Sequence, residues 1–415
     1  MTSRGRVLEN HALVVRDGRI LDLLPNADAA QRYAAGTVVR RPAHLLMPGL
    51  VNAHTRAASS PLRDSRAPVA HLEAHVAGPE MVRDGALVAI AEMLMSGITC
   101  FADRCRFPDE AARTAAEQGM RAVVGLPVAE TPSPWAMNAA AYLTEGLRVR
   151  DEFADHPLIS TVFAPHAADT LSDATFGRLA MLADELDAGV MIDLHASTEE
   201  IARSLAAHGA RPIERLQHLG LLTPALNAVH MTHSTAADIE LAQRTGIAVS
   251  LGLQACLGRE QTLPPVAALR AAGIRLGLGT GDSPCRNQDL WAELKLSALM
   301  SRPHAGESGG AWDALAMATR GGAAVLGLES EIGTLEAGKW ADACCVDLSR
   351  PATQPLNDPV SQLVFCGGRD LVRDVWVAGR HLLSEGEFMR LDWSRAAAHA
   401  DAWPSRVNAQ GEARG

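Results

Sequence analysis

EMVRDGALVAIAEMLMSGITCFADRCRFPDEAARTAAEQGMRAVVGLPV, residues 80–128, decides the fold. Apolar residues recur at helical spacing over 80–95, and ITCFAD then gives a short β-type run behind Gly97. A second helix follows over 109–119, and a second strand in MRAVVGLPV. Both strands are short and almost continuously apolar, and an amphipathic helix joins them. That combination predicts parallel strands covered on both faces, since a parallel pair needs a helical crossover.

Outward from this stretch the unit repeats. LVNAH precedes it, and LISTVFAP, VMIDLHA, NAVHMT, IAVSLG and IRLGLGTG follow as strands. Helical patterns over 138–154, 172–188, 199–219, 235–245 and 264–272 separate them. Eight β-units, each followed by helix, predict an α/β fold of the closed (β/α)8 TIM-barrel type. Helical texture continues through 289–328. The two ends of the chain read as β. VLENHALVV, Asp17-Gly18 and RILDLL predict a hairpin, because Asp-Gly suits the mirror-image turns that hairpins favour. Another strand is expected over 37–46, and β texture returns over 332–390 in DACCVDL, LVFCG and VRDVWVAGRHLL. The ends are therefore expected to pair into a small flanking β-sandwich, from residues 1–47 and 329–390, around a barrel of 48–328. Residues 391–415 read as a tail, with a helix and a frayed end from 394.

Composition agrees. The chain's 415 residues leave room for a barrel of about 250 residues and a smaller companion. Hydrophobic residues at 47% and charged residues at 21% fit a soluble globular enzyme and exclude a disordered chain. With 38 Lys and Arg against 48 Asp and Glu, the net charge of −10 argues against a nucleic-acid partner. The seven cysteines contain no CxxC pair and read as free thiols of a reducing compartment. No apolar run reaches the ~18 residues of a membrane span, and MTSRGRVLEN lacks the apolar block of a signal peptide. A cytoplasmic protein with no membrane partner is expected.

Six segments then bear on chemistry: MPGLVNAHT (47–55), APHAADTLS (164–172), IDLHAS (192–197), AVHMT (228–232), LGLGTGD (276–282) and GTLEAGKWAD (333–342). In this order they resemble the amidohydrolase superfamily over roughly residues 10–390. Within it, VRDGALVAIAEMLMSGITCFAD, AVHMT and DPVSQLVFCGGRDLVRDVWVAGRHLL are similar to the 5-methylthioadenosine/S-adenosylhomocysteine deaminases and the triazine hydrolases. The resemblance implies a TIM barrel with a flanking β-sandwich, a homodimer or larger homo-oligomer, and a small-molecule substrate. It also implies one divalent metal, generally zinc or iron. The family's ligands are an HxH on the first barrel strand, a His on the fifth, a His on the sixth and an Asp on the eighth. A Glu beside the fifth-strand His protonates the substrate ring. Such a metal lowers the pKa of its water to near 7, so that hydroxide attacks an electron-poor carbon.

Carried over residue by residue, the resemblance gives His54, His195 and His230 as metal ligands. The second HxH position is Arg56, which stays protonated and has no lone pair for a metal. Ala196 stands where the acid Glu is expected. The eighth strand reads Gly279-Thr280-Gly281-Asp282, so Gly281 takes the ligand position and Asp282 comes one residue late. A one-residue slip reverses a side chain's face unless a bulge restores it. The Glu and Trp expected in the loop 57–80 have no clear equivalents, Glu73 being displaced, and Met137 replaces a carboxylate-binding Arg. His166 corresponds to a His near the substrate.

Three functions follow. The first is hydrolysis of a non-peptide C–N bond in a small purine- or triazine-like ring, with His54, His195, His230 and Asp282 around zinc. The second is a metal-independent, non-hydrolytic reaction in a pocket of Arg56, His166, His195, His230 and Asp282, the Arg56 guanidinium standing in for the metal charge. The third is a non-catalytic ligand-binding homologue. In the first two, Asp282, His230 and Arg56 are the candidate catalytic residues, and His166, Arg56 and His233 the substrate-binding ones. For each histidine the plainer reading is a core or pocket residue without a ligand. Glu199 and Glu200 are expected to open a helix rather than replace the missing acid. Cys256 and Cys285 near the barrel mouth lack a neighbouring base and read as ordinary thiols.

Overall fold

The structure, a computed structural model, describes residues 6–63, 78–258, 262–281, 287–301 and 310–406. The N-terminal hairpin forms as expected. Strands β1 (His11–Arg16) and β2 (Arg19–Pro25) pair antiparallel, and Asp17 and Gly18 both take positive φ in the turn. The next strand, β3 (His44–Pro48), is shorter than the expected 37–46. Pro42 lacks the N–H of a ladder residue, and Arg41 forks onto Asp374 instead of extending the strand.

Eight strands then run parallel, in the order of the chain: β4 (Leu50–Thr55), β5 (Ile98–Arg104), β6 (Arg121–Val128), β7 (Ile159–Pro165), β8 (Val190–Leu194), β9 (Leu226–His230), β10 (Ala248–Leu251) and β11 (Arg275–Leu278). Helices follow them, among them Pro79–Met95 before β5 and Pro108–Gln118 before β6. β11 returns to β4. Gly281 donates its N–H to the His54 carbonyl at 2.8 Å, and Asn52 Oδ1 accepts the Thr280 N–H at 3.0 Å. The sheet thus closes, and the barrel floor is filled by Ala102, Val123, Met191 and Val229 with Leu326 and Leu328 against them.

The second sheet is antiparallel and has five strands, with β3 at one edge. It joins β3 to β12 (Ala343–Asp347), β13 (Val372–Val377), β14 (Arg380–Ser384) and β15 (Glu387–Phe388). Both chain ends contribute, as the sequence predicts. LVFCG is not a strand: it lies in the helix Pro359–Cys366, where Asp358 caps the N-terminus and Pro359 takes the first turn. The two layers are fastened by Arg121 at the base of β6. Its Nε lies 2.8 Å from Asp342 Oδ2, and Asp342 Oδ1 also accepts the Ala378 N–H at 2.7 Å. The C-terminal helix Trp393–Asp401 lies against Pro79–Met95, with Asp84 accepting from Trp403 Nε1 at 3.0 Å. No helix among the described residues is long and apolar enough to cross a membrane.

Candidate active site

The C-terminal ends of β4, β5, β7, β8 and β9 bring five groups together: His54, Arg104, His166, Asp193 and His230. His54 is the penultimate residue of β4, where the pairing with β5 slips between Asn52 and Thr55. The slip works as a bulge and re-aims the side chain. The His54 ring meets the His230 ring edge-on, with centroids 6.2 Å apart. His230 ends β9 at φ 82°, an uncommon conformation for a residue with a side chain. Its Nε2 lies 3.8 Å from Asp193 Oδ1.

Asp193 is the centre of the arrangement and is a residue the motifs did not single out. It sits on β8, 4% exposed. One carboxylate oxygen takes the Arg104 guanidinium, and the other lies 3.0 Å from His166 Nδ1. Burial alone would raise its pKa. The Arg104 charge, the His166 hydrogen bond and the His230 ring outweigh that and hold it well below the usual carboxylate range. Arg104 comes up from β5 and is itself buried. Its second arm donates to the carbonyls of Pro165 and His166 at 3.2 and 3.1 Å, so one side chain ties the ends of β5, β7 and β8. It crosses the intervening β6 at Gly125. A Cβ there would lie 3.3 Å from Arg104 Cγ and 2.8 Å from Ala164 Cβ. His166 is held by Asp193 at Nδ1 while its side chain stays 65% exposed.

His195 goes elsewhere. It lies beyond the end of β8, at φ 52° and fully buried. Its Nε2 accepts the Ile213 N–H at 3.3 Å, which leaves the ring proton on Nδ1, 3.6 Å from Asp238 Oδ2. Burial lowers its pKa to about 4, against the pull of Asp238. The ring therefore packs under the helix Pro212–His218, and the structure does not gather it with His54 and His230. His195 has the same parity as Met191 and Asp193, but β8 ends at Leu194, and the positive φ of His195 turns its side chain away from the inward face that Asp193 shares with Met191. Glu200 accepts the His195 and Ala196 N–H groups at 3.1 and 2.7 Å and serves the turn into the next helix, in keeping with the helix-opening expectation.

Arg56 follows β4 as the residue before the short helix Ala57–Leu62. The turn is held by Asp103, whose Oδ1 accepts from Thr55 Oγ1 at 2.9 Å and from the Ala57 N–H at 2.7 Å. His233 is half-buried, its N–H on the His195 carbonyl at 3.0 Å. Asp282, Cys285 and Glu73 lie outside the described residues. Cys256 is buried, 3.6 Å from Thr232 Oγ1.

Comparison with known proteins places this arrangement. The model of the amidohydrolase family matches residues 45–382. The chain belongs to the amidohydrolase family. It is 38% identical to a 5-methylthioadenosine/S-adenosylhomocysteine deaminase of Teredinibacter turnerae over 98% of this chain and 95% of that one. A deaminase of the same name from Moorella thermoacetica is 33% identical, over 94% and 93%. Among solved structures, an adenosine deaminase from Xanthomonas campestris with bound zinc superposes with a TM-score of 0.94 at 39% identity, covering 97% of this chain and 94% of that one. A zinc-bound atrazine chlorohydrolase from Arthrobacter aurescens shares the fold, with a TM-score of 0.85 at 21% identity over 96% of each. Family and relatives make this amidohydrolase a deaminase-like hydrolase of carbon–nitrogen bonds other than peptide bonds.

Zinc is plausible from the family, and the donor set tests it. A zinc site needs three or four N, O or S donors at about 2.0–2.3 Å. Among the described residues no three His, Cys, Asp or Glu side chains converge for a metal ion. Asp193 already has one oxygen on a guanidinium and one on an imidazole. Arg56 and Gly281 offer no donor, and both His195 nitrogens are turned to the helix layer. A dication about 5 Å from one guanidinium would be repelled by roughly 7 kcal/mol at an effective dielectric of about 20. The residues described do not fit the metal.

Proposed function

We propose that this amidohydrolase cleaves a C–N bond of a small purine- or triazine-like ring at the barrel mouth, using proton transfer by its own histidines. The single observation that carries the reading is the Asp193–His166 pair. A buried carboxylate, held ionised, fixes the Nδ1–H of an imidazole whose other side is exposed at the C-terminal face, where barrels of this type carry their chemistry. His166 Nε2 is then the base that takes a proton from water as the water oxygen bonds to the ring carbon. The C–N bond breaks as the amine nitrogen receives a proton from His230, ammonia or an amine leaves, and the proton taken up by His166 then passes to His230 to restore both rings. His54, Arg56 and His233 line the ring's approach. Ala196 supplies no acid, so an electron-poor ring is the preferred substrate class.

The resemblance further supports a homo-oligomer of the cytoplasm, which light scattering on the purified chain tests for its assembly state. The activity test is release of ammonia from adenosine, 5-methylthioadenosine, S-adenosylhomocysteine and an aminotriazine. Turnover of one or more, reduced at least about 100-fold by His166→Ala, is expected. Absence of turnover on all four, with a relative active in parallel, would refute the hydrolase reading. The Arg104–Asp193 pair supports the metal-independent, non-hydrolytic alternative in the pocket of Arg56, His166, His195, His230 and Asp282, which conversion of a substrate without hydrolysis would favour, whereas ligand binding without any turnover would favour the non-catalytic homologue.

A further inference from the structure

We infer that a guanidinium–carboxylate pair has taken the metal's place: Arg104 on Asp193 occupies the barrel mouth, and the site holds no zinc. The inference takes the location of the site from the proposed function but not its reaction.

Three features of the chain carry it. Arg104 is not a surface cation resting near an acid. It is 7% exposed and, from β5, makes hydrogen bonds to the Pro165 and His166 carbonyls at the end of β7, two positions around the barrel, and to Asp193 on β8, three positions around. Gly125 leaves the space its side chain crosses. A group fixed by three acceptors on two strands does not swing aside for an ion, because leaving would bare a buried charge. Asp193, the inward residue of β8, has committed its two oxygens to Arg104 and His166, so its remaining lone pairs would have to draw a dication beside a cation. Finally, Arg56, the residue after β4, brings a second guanidinium to the end of the first barrel strand, close enough to the buried Asp103 to favour its ionised form. Each change moves the mouth from a set of neutral and anionic donors toward fixed positive charge. The fixed charge does what a metal would otherwise do for Asp193: it keeps the carboxylate ionised and aimed, and through it the His166 ring.

Metal content per chain decides this. Protein purified without chelator is dialysed against excess zinc, desalted and measured by elemental mass spectrometry, with melting temperature followed in zinc and in EDTA. The wild type is expected to hold less than about 0.1 zinc per chain and to melt at the same temperature in both. Arg56→His/Arg104→Met/Asp193→His, which removes both guanidinium groups and supplies neutral donors beside His54 and His230, is expected to approach one zinc per chain and to melt higher in zinc. Near one zinc in the wild type, lost in His54→Ala or His230→Ala, overturns the inference. Zinc that survives both substitutions is bound away from the mouth and upholds it. A folded triple variant that takes up no zinc overturns the assignment of the exclusion to Arg104 and Arg56. Because none of these readings uses turnover, an inactive protein refutes the proposed function while leaving this result standing.

Discussion

Asp193→Ala is the most informative single change. It leaves the Arg104 guanidinium buried with only the Pro165 and His166 carbonyls as partners. Breaking one half of a buried ion pair costs about 3–5 kcal/mol, because the surviving charge stays desolvated. Unfolding entropy of roughly 2.1 cal/mol/K per residue gives about 0.9 kcal/mol/K for a chain of 415 residues. The melting temperature should therefore fall by about 3–6 °C. Arg104→Met/Asp193→Leu, which removes both charges and fills the space, should recover to within about 1 kcal/mol of the wild type. Circular dichroism melts and urea titrations of Arg104→Met, Asp193→Leu and Arg104→Met/Asp193→Leu close a double-mutant cycle. The pH dependence has a definite sign. Asp193 is held below its unfolded value, so its stabilisation is present above the ordinary carboxylate pKa and is lost as pH falls through the depressed folded value. The difference between wild type and Asp193→Ala should persist from neutral pH down to mildly acidic pH and close only in strong acid. If Asp193→Ala melts within about 1 °C of the wild type, or if the double variant is less stable than either single one, Arg104 and Asp193 are not an energetic unit.

Other outcomes follow from the same geometry. Glu293 is buried under the Leu253 and Gln254 N–H groups, and burial raises its pKa to about 7. A carboxyl raised above its unfolded value loses stability as pH climbs from about 4.5 through 7, so Glu293→Gln should flatten the decline in urea midpoint over that window. Asp103→Ala removes the acceptor of the Thr55 hydroxyl and Ala57 N–H and should cost about 1–3 kcal/mol, whereas Asp103→Asn keeps the accepting oxygen and should cost less, as denaturant titration would report. Gly281→Ala places a Cβ 2.5 Å from His54 Nδ1 at a backbone φ of 26°. It should lower stability by about 1–3 kcal/mol and displace the His54 ring, read as a loss of turnover larger than the loss of fold.

Most of the fold is legible in the chain because its signals are local. The alternation of short apolar strands with helices names the barrel, and Asp17-Gly18 names the hairpin. LVFCG misleads because a five-residue apolar run has no period of its own; the deciding signal is the Asp358-Pro359 cap upstream of it. The same limit governs the site. IDLHAS contains a histidine, and motif matching assigns it the ligand role. Strand parity puts Asp193 inside, and His195 has the same parity but lies past the end of β8 with a positive φ that turns it under a helix. Counting by two from Met191 finds Asp193. Nothing in the sequence marks Arg104 as its partner, since 89 residues separate them and only barrel closure brings them together. The slip that re-aims His54 is likewise a property of the β4–β5 pairing rather than of either segment.

The small sheet has a consequence for the order in which the protein can be made. Pro48 in β3 pairs with Ala343 in β12, 295 residues further on. At a synthesis rate of about 5–20 residues per second, β3 leaves the ribosome about 15–60 s before its partner exists. During that interval an apolar strand with both edges open is tethered at the entrance of a barrel that is being assembled strand by strand. The hairpin β1–β2 can form at once from local contacts. The segment just behind it has no local partner and must be shielded by the growing barrel or by a chaperone. The joining of the two ends of the chain therefore cannot begin until β12 has been made.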